Sequence, residues 1–245
     1  MESTHLLIFI ALAIFTVAVL YASVGHGGAS GYIAVMALCG VAPLAIKPSA
    51  LVLNIVVSTV AFSLYASAGH FRWRLFWPFA VTSIPASFIG GAIHLPSHIF
   101  KPLLGLALLC AAARVLLTSR EEKTGADLSL PLAMVAGAGI GLVSGMTGIG
   151  GGIFLSPLIL LLGLAGQRET SAVSALFILT NSIAGLAGHG GGLAAIPDFV
   201  PLLAAAALLG GTLGGATGSR ILSAPAIARA LTAVVAIAGL KMIAT

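Results

Sequence analysis

Long apolar runs, separated by short stretches of small or polar residues, fill most of this chain. Ten helical segments are predicted from them. In the first half they cover Thr4–Tyr21, Ala29–Val41, Pro48–Ala68, Leu75–Ile93 and Ile99–Leu117. In the second half they cover Leu128–Met146, Ile153–Leu164, Thr170–Ala187, Phe199–Thr217 and Pro225–Ile243. Eight are long enough to cross about 30 Å of hydrocarbon. The second and seventh are not: at a rise of about 1.5 Å per residue they reach only about 18–20 Å. Each short segment directly follows a glycine cluster, Gly25-His26-Gly27-Gly28-Ala29 in one case and Gly148-Ile149-Gly150-Gly151-Gly152 in the other. Glycine loses more backbone entropy on ordering than any other residue, so such clusters argue for deliberate helix breaks. Lipid cannot satisfy the N–H and C=O groups that a break exposes, so protein or a wet cavity must surround it.

The two halves read as copies. Gly25-His26-Gly27-Gly28 matches Gly148-Ile149-Gly150-Gly151, Ser49-Ala50-Leu51 matches Ser174-Ala175-Leu176, and Gly90-Gly91-Ala92 matches Gly214-Gly215-Ala216. The polar stretch Thr118–Asp127 lies between them. This organisation gives a first transmembrane repeat over 1–119, a linker over 120–127 and a second repeat over 128–245. Short interrupted segments in corresponding places of two halves are the sequence mark of a repeat-built transporter. If each half has the parity of five crossings, Arg72, Arg74, Arg114, Arg120, Lys123, Arg168, Arg220 and Arg229 share one side, against Lys47, Lys101 and Lys241 on the other. The positive-inside rule then makes the linker cytoplasmic, the N-terminus external and the halves inverted. Glycines four apart, as in Gly137-Gly141-Gly145 and Gly210-Gly214-Gly218, are read as close helix packing.

Composition narrows the class. The chain has 245 residues, of which 59% are hydrophobic and only 7% charged, with a mean hydropathy of +1.16. Soluble domains carry roughly 25% charged residues, so the expected fold is an all-α polytopic membrane protein. The net charge of +5 comes from single basic residues at the ends of apolar runs. That pattern sets topology and meets lipid headgroups; it offers nothing to nucleic acid. Cys39 and Cys110 sit inside apolar runs and read as buried small hydrophobes, and no Cys/His spacing suggests a metal site. No cofactor is expected. The N-terminus lacks the basic start of a signal peptide, so the first apolar run reads as a retained helix.

The stretch Gly148-Ile149-Gly150-Gly151-Gly152-Ile153-Phe154-Leu155-Ser156-Pro157, and Gly188-His189 followed by Phe199-Val200-Pro201, resemble the signature of the sulfite exporter TauE/SafE family, also called the TSUP family. The resemblance implies a permease for small sulfur-containing anions such as sulfite or organosulfonates, with about eight spans in two repeats. The first copy departs from the pattern: His26 replaces an apolar residue, Ala29 a glycine, and Ala34 stands opposite Pro157.

The N–H groups that open a helix attract anions. The expected binding set is therefore the two breaks and their polar neighbours: Gly25, His26, Gly27, Gly28, Ser30, Thr147, Gly148, Gly150, Gly151, Gly152 and Asn181. Asn54 is a further amide within an apolar helix, with interhelical hydrogen bonding as its plainer role. His26 is placed to neutralise substrate or relay a proton. None of the six acids lies mid-helix, which weighs against a cation carrier. Proton or ion coupling and a homodimer stay open. So do two alternatives, a channel-like facilitator of other small anions and an intramembrane hydrolase. The spacing of Gly141-Leu142-Val143-Ser144-Gly145 is wrong for a serine nucleophile turn, and neither break continues into a P-loop. The chain is read as a transporter and not an enzyme.

Overall fold

The computed structural model describes residues 2–93, 128–190 and 196–220, together with Pro102 and Leu109. The tenth predicted segment, the fifth apart from Pro102 and Leu109, the polar stretch Thr118–Asp127, Cys110, His94 and His98 lie outside the described residues. Among the described residues the chain forms eight helices and no strand. They are α1 (Glu2–Ala22), α2 (Ala29–Leu38), α3 (Pro43–Ser67), α4 (Trp73–Ala92), α5 (Leu130–Thr147), α6 (Gly152–Leu161), α7 (Gln167–Gly188) and α8 (Val200–Arg220). Six are long and apolar enough to cross a membrane. The two short ones, α2 and α6, have ten residues each.

One boundary differs from the sequence reading by a full turn. Pro48 was expected to open α3, but the helix begins at Pro43 and carries Pro48 inside it. Proline suits the first helical position because its missing N–H is unneeded there, and here the earlier of two prolines takes that place. Lys47 is thereby drawn into the helix. It is 7% exposed and donates from Nζ to the carbonyls of Gly91 (3.0 Å) and Ile93 (3.4 Å) at the end of α4. A cation at the carbonyl end of a helix meets its negative dipole. Lys47 is thus an interior cap for α4, not the loop lysine the sequence suggested.

The glycines four apart do let backbones meet. A methyl group on Gly137, Gly141 or Gly145 would strike the carbonyls of Phe79, Ser83 or Ser87, so α5 and α4 run parallel in contact. Gly210, Gly214 and Gly218 lie in the same way on Phe15, Val19 and Ser23, joining α8 to α1. Between these pairs, α3 and α7 cross antiparallel, with Leu51 beside Gly185 and Asn54 beside Ser182. Each short helix belongs to a different part of the core. Tyr32, Ile33 and Met36 of α2 pack with Ile14 and Leu53, while Leu155 and Ile159 of α6 pack with Phe79 and Phe177.

The outer surface suits lipid. Leu12, Val135, Leu209 and Ile89 are all well exposed. Trp73 and Trp77 are also exposed, next to Arg72 and Arg74, as expected at a headgroup boundary. Arg72 pairs with Glu169 at 2.9 Å, tying the start of α4 to the start of α7. Glu169 also accepts from the N–H of Gly166, capping α7.

Candidate functional site

Both glycine clusters are true breaks. In the first, Gly25 has φ +73° and lets the chain turn out of α1, with the N–H of His26 returning to the carbonyl of Tyr21 at 2.9 Å. This is a helix end closed through a left-handed glycine. Gly28, with φ +98°, then directs the chain into α2. In the second, Gly148, Gly150 and Gly151 all have φ near +80°. An L side chain is disfavoured there, so three of the four positions leading into α6 call for glycine.

Asn54 of α3 joins the two breaks. Its Oδ1 accepts from the N–H of Ala29, the first residue of α2, at 3.0 Å. Its Nδ2 donates to the carbonyl of Ile149 in the second break at 3.1 Å, and to Ser182 Oγ at 3.4 Å. Asn54 is completely buried. One carboxamide thus satisfies a donor of one break and an acceptor of the other, groups that would otherwise be orphaned in an apolar interior. A methyl group on Gly27 would come within 2.5 Å of Asn54 Oδ1, and one on Gly150 within 2.6 Å of Asn54 Nδ2. The same methyl groups would lie 2.9 and 2.8 Å from Ile178 Cγ2 of α7. Of the two surroundings the sequence allowed for a break, protein or a wet cavity, the described atoms supply protein, and they close around both breaks.

The remaining break glycines are pressed against other elements. Gly25 faces the backbone of Ser171, Gly148 faces Lys47, Gly151 faces Phe177 and Ile140, and Gly152 faces Ile178. Each break thus meets the opposite half of the chain.

His26 carries a second connection between the halves. Its Nδ1 lies 2.9 Å from the carbonyl of Val24, and its Nε2 lies 3.0 Å from Ser156 Oγ. Ser156 Oγ is in turn 2.7 Å from Ser174 Oγ. A carbonyl only accepts, so Nδ1 carries the proton in the neutral ring and Nε2 accepts from Ser156. In the cationic ring Nε2 also donates, and the hydroxyl of Ser156 must turn toward Ser174. Protonation of His26 thus reverses the direction of this chain.

Other expected site residues lie differently. Ser30 Oγ is hydrogen-bonded to Tyr21 OH at 2.7 Å. Thr147 gives its hydroxyl to the carbonyl of Val143 in its own helix. Asn181 turns toward α4: Nδ2 donates to Ser83 Oγ (3.1 Å) and to the carbonyl of Phe177 (2.8 Å), its backbone carbonyl accepts from Ser87 Oγ, and its Oδ1 has no partner among the described residues. The structure gathers Gly27, Gly150 and Gly152 around Ile178, and leaves Asn181 at the α4–α7 seam. Lys47, Ser156, Ser174 and Tyr32 also stand beside the breaks. Ser156 carried a sequence signal as part of the resembling stretch, Ser174 as part of the matched repeat and Lys47 in the charge pattern; Tyr32 carried none.

The family model described as sulfite exporter TauE/SafE matches residues 10–242. A probable membrane transporter protein, y4hK, of Sinorhizobium fredii (strain NBRC 101917 / NGR234) is 41% identical over 240 residues, covering 96% of this chain and 97% of its own. No solved structure matches the chain significantly.

Proposed function

This chain belongs to the sulfite exporter TauE/SafE family and is a multi-pass membrane transporter, and from that premise we propose that it is a secondary permease for small sulfur-containing anions such as sulfite or organosulfonates. The anion binds between the two glycine breaks. The observation that carries this reading is Asn54, which brings the N–H end of α2 and the backbone of the second break onto one side chain. An anion leaving water needs many donors at once, and helix starts without side chains at the break offer them at close range. The breaks are closed in this structure, so binding requires the two halves to part.

We further propose that 1–119 and 128–245 are inverted copies, with eight full spans and each short segment returning the chain so that each half has the parity of five crossings. Several contacts support this. Val19 and Leu142 both stand 123 residues apart in the register that aligns the breaks, and they receive Gly214 and Gly90 respectively. Gly25 meets the start of α7, and Gly148 meets the start of α3. The equivalent helices α3 and α7 cross antiparallel, as inversion requires. In this arrangement the N-terminus is external and the linker cytoplasmic in the inner membrane.

Uptake by vesicles containing purified protein tests the function. Sulfite, sulfate, sulfoacetate and thiosulfate are offered separately, and saturable uptake of at least one sulfur anion is expected. Uptake no faster than empty vesicles for all four would remove the reading.

A further inference from the structure

The start of α2 holds donors that nothing in the described structure uses. Asn54 takes the N–H of Ala29, and the N–H groups of Ser30 and Gly31 have no acceptor among the described residues. Close by is a third donor. Tyr32 is completely buried, and its hydroxyl has no hydrogen-bond partner among the described residues. Its ring folds back over Gly28, where a methyl group would lie 2.7 Å from the hydroxyl oxygen. Side chains in a helix lean toward its N-terminus, so the hydroxyl is carried to the same place as the free N–H groups.

A buried hydroxyl without a partner destabilises a protein, and a phenylalanine ring fills the same space without that penalty. The hydroxyl therefore asks for an oxygen acceptor that arrives from outside the chain. The pair Tyr21 OH and Ser30 Oγ adds to the same end. In such a pair one hydroxyl donates to the other, and the accepting one keeps its own proton to give away. The start of α6 lacks these two hydroxyls of α2. Ile153 and Leu155 stand there in the places of Ser30 and Tyr32.

We infer that the oxygen atoms of the transported anion are bound at the start of α2, by the N–H groups of Ser30 and Gly31 and the hydroxyl of Tyr32, and that Tyr32 sets which oxyanions are accepted. This rests on the anion-permease reading above. The ligand class is a compact oxyanion with several oxygens on one centre, as in a sulfite or sulfonate group. The second break serves as the opposing wall: Ile149 and Gly150 reach the same point through Asn54. The hydroxyl of Tyr32 is shut off from solvent here, so the anion reaches it when that wall withdraws.

The test is thermal unfolding of the full-length protein in detergent. Sodium sulfite, sulfate, sulfoacetate and thiosulfate are compared with sodium chloride at equal ionic strength. Wild type, Tyr32→Phe and Tyr65→Phe are measured side by side. Tyr65 is a fitting control because its hydroxyl is already given to the carbonyl of Ser23 at 2.8 Å. The expected result is a rise in Tm of the wild type with at least one oxyanion. Tyr32→Phe should need about tenfold or more of that anion for the same rise, with a Tm in chloride equal to or above wild type. Tyr65→Phe should keep the wild-type anion response. An unchanged response in Tyr32→Phe, or an equal loss in Tyr65→Phe, overturns the inference and leaves the permease reading standing. A wild type that responds to none of the four anions overturns both.

Discussion

Asn54 and Asn181 show how much hangs on which way one side chain points. Both are amides in long apolar helices, and both are completely buried. Residues 181 and 182 are neighbours, yet Asn181 bonds α4 while Ser182 bonds Asn54. Successive residues on a helix point about 100° apart, so adjacent positions serve different partners, and no apolar pattern tells which partner stands where. That is why the sequence favoured Asn181 over Asn54 for the site. Tyr32 was overlooked for a related reason: in an apolar run an aromatic reads as core, and its spare hydroxyl is visible only when its surroundings are known. Replacing Asn54 with leucine should lower stability by about 2–4 kcal/mol, since it strands a buried donor and a buried acceptor; chemical unfolding in detergent measures this. His26 makes a separate prediction. If its cation assists the anion, flux is greater at acid than at alkaline pH. His26→Gln should flatten that profile, and an unchanged profile would leave His26 as a structural link between Val24 and Ser156.

The helices were largely legible as elements. Eight of the ten predicted segments lie within the described residues, and each forms a helix within a few residues of its expected bounds. Periodicity and the glycine clusters carried that, because a break needs φ values that only glycine adopts readily. The start of α3 was misplaced because two prolines five apart both resemble a helix opening, and burial of Lys47 against α4 was not encoded nearby. Whether protein or a wet cavity surrounds the breaks was not legible, because solvation alone requires only one of the two. Asn54 and Ile178 fill that space, and both come from helices distant in sequence. The glycines themselves divide by what they face. Gly69 has φ +81° and open space, so Gly69→Ala carries only backbone strain, roughly 1–2 kcal/mol. Gly28 has a similar φ but lies under Tyr32. Gly28→Ala should cost clearly more stability and abolish transport, while Gly69→Ala keeps its flux; paired unfolding and uptake measurements compare them.

The whole molecule is held by small residues and by bonds that cross between its halves. Glycine-lined contacts fix α4 on α5 and α8 on α1, and polar links of Asn54, His26, Arg72 and Asn181 join the two halves. In lipid, where apolar contact alone gives little preference between helices, such links position the halves against each other. The ion pair between Arg72 and Glu169 is solvent-accessible and weak by itself. It places the starts of α4 and α7 on one side, in line with the charge pattern that makes that side cytoplasmic. Single cysteines in the linker should then react with a membrane-impermeant thiol reagent only in inverted vesicles; labelling in intact cells would reverse the orientation.

The claim beneath all of this is that bare backbone at the two breaks receives the anion. Initial uptake of the anion that the wild type takes up fastest is therefore measured for Gly27→Ala combined with Gly150→Ala. Each added methyl presses on Asn54. The account predicts uptake lower by at least about tenfold with wild-type amounts of protein in the membrane; uptake at the wild-type rate would contradict it.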